Sequence, residues 1–397
     1  MSLAQRLAPF GTTIFTEMTR LAQQHNAVNL AQGFPDFDGP DVAKQAAAAA
    51  IAAGHNQYAR MFGVPALNAA IADDLARRTG RVVDPDTQIT VTSGCTEAIA
   101  ACMLGLLNPG DGIILFEPFY DSYRATIAMA AAVPRFVTLR ATPAGFVFDE
   151  GELRAAFTPR TRAILINTPH NPTGKVFTRA ELECIASLCR THGVIAITDE
   201  VYERLTFEPA LPHIPLATLE GMAERTITLS SIGKTYSLTG WKVGWAIAAP
   251  PLTAAVRAAH QFLTFATATP LQHGSVAALR LGEPDVAATI ELFRANRAAL
   301  SAALVDLGFA VYPSHGTYFL MSDLGPLERI LRAQAGATID DRAAASHLTQ
   351  HVGVAAIPPS VFYNEPRHGS RLLRWAFCKK PETIATAIQR LRTLAGA

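Results

Sequence analysis

Short apolar runs alternate with longer stretches of helical period through the middle of the chain. Runs rich in Val, Ile, Leu and Ala at 88–92, 112–116, 163–166, 194–198, 226–229 and 243–248 predict strands. Between them apolar residues recur every three or four positions, as in 179–190, where Thr178 is placed to cap the helix. Strand and helix in alternation predict α/β layering around a mostly parallel sheet. Past about Pro270 the pattern changes. An Ala/Leu/Arg-rich helix at 284–307 leads to strand-like runs at 309–313, 317–322 and 371–377, which read as a smaller α+β unit. The first forty residues, rich in Pro and Gly around 32–37, are expected to pack with that unit and line the entrance to a site. The expected division is a large domain of 43–275 and a small domain built from 1–42 and 276–397.

Composition changes this picture little. The chain has 397 residues, 49% of them hydrophobic, enough for a large core and more than one compact unit. A net charge of +1 argues against nucleic acid or a membrane surface as partner. Residues 1–10 show no charged leader followed by an apolar run, and the alanine-rich run at 46–53 is too short to span a bilayer. Five scattered cysteines lack metal-ligand spacing, so reduced thiols, a cytoplasmic location and no bound metal are expected.

The candidate chemistry starts from lysine, which is scarce: only Lys44, Lys175, Lys234, Lys242, Lys379 and Lys380 occur. Lys234 lies among small and hydroxyl residues just after an apolar strand. A lysine amine forms a Schiff base only when unprotonated, a state favoured by partial burial near another cation. The competing reading is a surface loop lysine. Other polar residues recur where the predicted strands end, the edge at which open α/β sheets bind ligands. Gly94, Cys95 and Thr96 open a helix after one strand, suiting a phosphate or simply a strand-to-helix turn. Asp199 ends another and can face a protonated ring nitrogen or cap a turn. Tyr202 and Asn171 can give hydrogen bonds into the same crevice, and Tyr120 can stack on a planar group; packing and turn-making are the alternatives. Ser231 and Lys242 bracket Lys234 and suit a phosphate. Arg374 alternates with Leu373 and Trp375 along a strand, so a covered second face leaves a buried guanidinium needing a planar anion. Together these residues specify pyridoxal 5′-phosphate.

In this order they resemble the fold-type I, class I/II aminotransferases, from the segment 29–37 through 230–245 to 374–377. The segments 56–58, 168–172, 260–265 and 353–358 look closest to bacterial methionine aminotransferases, with kynurenine aminotransferases (glutamine transaminase K) and cysteine-conjugate β-lyases near. The resemblance implies the α/β fold of PLP-dependent transferases of fold type I. It implies that Lys234 is the covalent anchor and proton carrier, that Asp199 holds the pyridine nitrogen, and that Asn171 and Tyr202 contact the ring oxygen. Gly94, Cys95, Thr96, Ser231 and Lys242 would hold the phosphate, with Tyr120 stacked on the ring. Tyr58 would reach the phosphate of a neighbouring subunit, implying a homodimer with shared sites. Gly33 and Arg374 would clamp the substrate carboxylate. Phe15, Tyr58, Phe265 and Phe319 can form an apolar pocket for methionine or aromatic amino acids. The expected activity is transamination between such an amino acid and a 2-oxo acid. A β-lyase on the same scaffold and a non-catalytic regulator are the alternatives.

Overall fold

The computed structural model describes residues 4–281, 283–333 and 339–396. Seven strands form its main sheet: β1 (Ile89–Thr92), β2 (Gly112–Glu117), β3 (Val133–Thr138), β4 (Thr161–Asn167), β5 (Ile195–Asp199), β6 (Thr226–Ser231) and β7 (Gly244–Ile247). Their order is β1-β7-β6-β5-β4-β2-β3. All neighbours run parallel except β7, which is antiparallel to both β1 and β6. Six strands lie where apolar runs predict them. β3 was not predicted, because an edge strand carrying Pro134 and Arg135 is half exposed and shows no apolar run.

Alternate side chains of the central strands enter different cores. Ile113 and Leu115 of β2 pack with the helix Gly94–Leu106 and the helix Pro250–Leu263. Ile114 and Phe116 face the other way, onto the helix Arg179–His192. That helix begins as Thr178 predicts: its hydroxyl accepts from the Glu181 N–H at 3.2 Å, and the Glu181 carboxylate accepts from the Thr178 N–H at 2.8 Å. This reciprocal capping box satisfies two donors the helix cannot pair internally.

A further core joins the two ends of the chain. The helix Ile14–Gln24 packs with the antiparallel strands Val311–Tyr312, Phe319–Asp323 and Leu372–Ala376 and with the helix Pro381–Leu391. A short strand, Val28–Asn29, runs parallel to Val354–Ala355, and the Ala376 N–H donates to the Leu30 carbonyl at 2.8 Å. Residues 14–31 thus pack with the C-terminal unit. Val201, Tyr202 and Leu205, just beyond β5, belong to this core too, so it abuts the C-terminal edge of the main sheet. No helix among the described residues is long and apolar enough to cross a membrane.

Candidate active site

Apolar strands end on polar residues at that edge. β4 stops at Asn167 and β5 at Asp199, which are register partners, and β6 stops at Ser231. Asp199 is buried. The Tyr123 hydroxyl donates to its Oδ2 at 2.6 Å; the Val201 N–H at 3.3 Å and the Cys95 thiol at 3.6 Å share Oδ1. Burial raises the Asp199 pKa, and these donors only partly pull it back. The carboxylate is therefore fixed in direction and primed to hold a proton on a cationic partner.

Asn167 ties this strand end to the next turn. Its amide donates to the Asp199 carbonyl at 2.8 Å while its oxygen accepts from the Asn171 N–H at 2.7 Å. Asn171 then passes the linkage to Arg374, whose Nη1 donates to the Asn171 Oδ1 at 3.1 Å and whose Nη2 donates to the Ala31 carbonyl at 2.7 Å. Arg374 is 1% exposed, and its Nε has no partner. The rings of Phe319, Phe15 and Phe362 lie 4.2, 5.2 and 5.6 Å from its guanidinium carbon. Burial lowers the guanidinium pKa to about 10, still cationic at neutral pH. No carboxylate among the described residues forms an ion pair with it. A buried cation with spare donors calls for an anion from outside the chain.

Lys234 projects from the single helical turn Ile232–Thr235 after β6, whose start is held by the Ser231 hydroxyl accepting from the Gly233 N–H at 3.3 Å. Its Nζ lies 5.7 Å from the Tyr202 ring and 5.8 Å from the Tyr318 ring. Burial pulls the amine pKa down, and Lys242 adds to this, while Asp199 opposes it. The Tyr318 hydroxyl donates to the Gly33 carbonyl at 2.6 Å. A side chain at Gly33 would bring its Cβ within 2.6 Å of Phe319, so only glycine fits there.

Gly94 turns the chain from β1 into the helix Gly94–Leu106 with φ +77°, a left-handed conformation that glycine adopts without strain. A Cβ there would stand 3.1 Å from the Lys242 ammonium. The unpaired N–H groups of a 13-residue helix, an ammonium and a serine thus converge at one end of the cleft.

The cleft encloses about 690 Å³ of empty space, part of it open to solvent. Ten predicted residues line it: Gly94, Cys95, Thr96 and Tyr120, then Asn171, Asp199 and Tyr202, then Ser231, Lys234 and Lys242. Arg374 sits beside it, joined through Asn171, with Phe15 against the guanidinium and Gly33 against Phe319 and Tyr318. Tyr58 and Phe265 do not line it. Tyr58 is 86% exposed and meets Phe265 edge-on at 5.5 Å, on the outside of the chain. Sequence reasoning missed Tyr123 and Asn167. Asn167 was findable as the polar end of an apolar strand; nothing along the chain marks Tyr123.

These residues fit pyridoxal phosphate: a helix start and an ammonium for the phosphate, a buried carboxylate for the ring nitrogen and a suppressed lysine for the aldehyde. The vacant Nε of Arg374 adds a place for an α-carboxylate. Fold and site together define an enzyme that uses this cofactor on amino acids. The chain belongs to the aminotransferases of class I and II, whose family model matches residues 25–391. It is 47% identical over 399 residues to a probable N-succinyldiaminopimelate aminotransferase of Mycobacterium tuberculosis, with 98% of each chain covered. It is 41% identical to the methionine aminotransferase of Escherichia coli, covering 98% of this chain and 97% of that one. The solved structure of the N-succinyldiaminopimelate aminotransferase from Mycobacterium tuberculosis matches it with a TM-score of 0.93 at 46% identity, covering 99% of this chain and 100% of that chain.

Proposed function

We propose that this aminotransferase takes amino acids with extended, mainly apolar side chains, of the methionine, aromatic or kynurenine kind, and passes the amino group to a 2-oxo acid. The observation that carries the reading is Arg374, a buried cation with a vacant Nε, surrounded by the rings of Phe15, Phe319 and Phe362. Of five guanidinium N–H donors, two are engaged by Asn171 and Ala31. The remainder can take a carboxylate, and the neighbouring aromatic surface suits a side chain such as methionine. A second reading, a substrate with a remote carboxylate, is favoured by the 47% identity to a probable N-succinyldiaminopimelate aminotransferase. Arg342, in the cavity beyond Phe362, would then receive that group.

Pyridoxal phosphate, when bound, supplies the electron sink for the charge left as the Cα–H bond breaks. The protein does the rest. Arg374 orients the α-carboxylate, and Gly33 leaves room for it. Lys234 takes the proton from Cα and carries it to the acceptor carbon. Asp199, oriented by Tyr123, keeps the ring nitrogen protonated, while Asn171 and Tyr202 contact the ring oxygen. Gly94, Cys95, Thr96, Ser231 and Lys242 would hold the phosphate, and Tyr120 would stack on the ring. The exposed Tyr58 and Phe265 fit a homodimer in which Tyr58 completes the site of a second copy.

A half-reaction screen tests the substrate. Holoenzyme is mixed with single amino acids and loss of the pyridoxal absorbance is timed. Methionine, phenylalanine and kynurenine are expected to react fastest. Faster reaction with N-succinyl-diaminopimelate would establish the second reading, and preference for aspartate or glutamate would overturn both.

A further inference from the structure

His260 lies in the helix Pro250–Leu263, fully buried and outside the cleft. Its Nε2 is 2.8 Å from the Met61 carbonyl oxygen, and its Nδ1 is 2.7 Å from Glu97 Oε1. A carbonyl only accepts, so Nε2 carries a proton. A neutral imidazole has a single N–H, which leaves Nδ1 at 2.7 Å from a carboxylate oxygen, with the Thr264 hydroxyl, farther off at 3.4 Å, its one other neighbour able to donate. The other oxygen of that carboxylate, Oε2, accepts from the Ser93 N–H at 2.7 Å. A second ring proton satisfies every group at once, whereas a neutral ring beside ionised Glu97 sets two acceptors against each other.

We propose that His260 is a positioning residue, an imidazolium bracket that holds the phosphate-binding turn at 93–96 in register with the 58–62 loop. Through Glu97 it fixes the Ser93 N–H and hence the left-handed Gly94 that opens the helix. Through Met61 it grips the loop that begins at Tyr58. That loop is held from other sides as well: Arg60 and Arg257 each stack 3.9 Å from the Phe62 ring, and the Phe62 carbonyl accepts from the Val91 N–H at 3.1 Å. The His260 carbonyl also accepts from the Phe265 N–H at 3.1 Å, setting the turn that carries Phe265 to the Tyr58 ring. One residue therefore joins the cofactor end of the cleft to the exposed aromatic pair. The inference rests on reading 94–96 as the phosphate site.

The charged and titratable groups around the ring are Glu97 from the facing helix, with Cys102 beyond it, Arg60 from the loop and Arg257 one turn earlier on the same helix. Burial opposes the charge, but the Glu97 hydrogen bond and charge outweigh it, and the net pKa is raised. A group raised in the folded state contributes fully below its unfolded value, and the contribution fades as pH climbs through the raised value.

Imidazole 15N spectra of the wild-type protein, with and without cofactor, test this directly, and His260→Gln assigns the signal. Two protonated nitrogens are expected at pH 7, and a neutral ring there would overturn the proposal; should His260→Gln fail to fold, the shift of the same signal in Glu97→Gln assigns it. Cofactor dissociation constants supply the second reading. His260→Gln and Glu97→Gln are each expected to weaken binding about tenfold, with no further loss in the double variant. The gap between wild type and His260→Gln should close at high pH. Additive losses, or a gap independent of pH, would show a merely structural residue and refute the bracket. If Lys242→Ala binds cofactor like the wild type, the phosphate reading fails instead, and the spectra remain interpretable.

Discussion

The Tyr123 hydroxyl lies 2.6 Å from Asp199 Oδ2, so the carboxylate at the end of β5 is aimed by a helix that follows β2. Two connections of the sheet meet at one proton-holding group. Tyr123→Phe removes the donor and leaves a desolvated oxygen unpaired. The half-reaction rate is expected to fall about tenfold with cofactor still bound. Stopped-flow absorbance checks this, and an unchanged rate would show that the orientation is dispensable.

Lys234→Ala removes both the covalent anchor and the proton carrier. Turnover is expected to fall by at least about 10³-fold. Borohydride reduction of holoenzyme should fix cofactor on the wild-type peptide containing Lys234 and leave none on the variant, read by peptide mass.

Arg374→Lys keeps a charge and loses the fork. An ammonium cannot reach Asn171 Oδ1, the Ala31 carbonyl and a substrate carboxylate together. The expected result is a loss of kcat/KM of about 10²-fold or more. Steady-state kinetics with the best substrate of the screen decide it; a loss under threefold would remove Arg374 from the substrate.

The two lysines Lys234 and Lys44 should differ in reactivity. Burial lowers the pKa of Lys234, whereas the hydrogen bonds Lys44 donates to Asp41 and Asp38 raise that of Lys44. Only the neutral amine attacks an aldehyde, so below the lowered value both are inert, and above it Lys234 reacts first. Reductive methylation of cofactor-free enzyme near pH 8, followed by peptide mapping, should modify Lys234 well before Lys44. The opposite order would contradict the suppressed amine.

Period and apolar content alone determine six of the seven main strands and their α/β alternation, because these six, including β1 at the other end of the sheet, bury nearly every residue and so carry apolar side chains on both faces. The same runs expose Asp199 and Ser231 as polar stops, and lysine scarcity picks out Lys234. β3 escapes because, unlike the buried β1, it lies half in water and needs no such run. Tertiary structure decides the rest. Tyr123 and His260 are ordinary helix positions until β5 and Glu97 are brought against them, since a helix pattern reveals which face is buried and not what it meets. The missing partner of Arg374 likewise exists only in the fold. Its guanidinium is enclosed by segments distant along the chain, Ala31, Asn171 and Phe319, and burial turns an unfilled hydrogen bond into a demand for an anion.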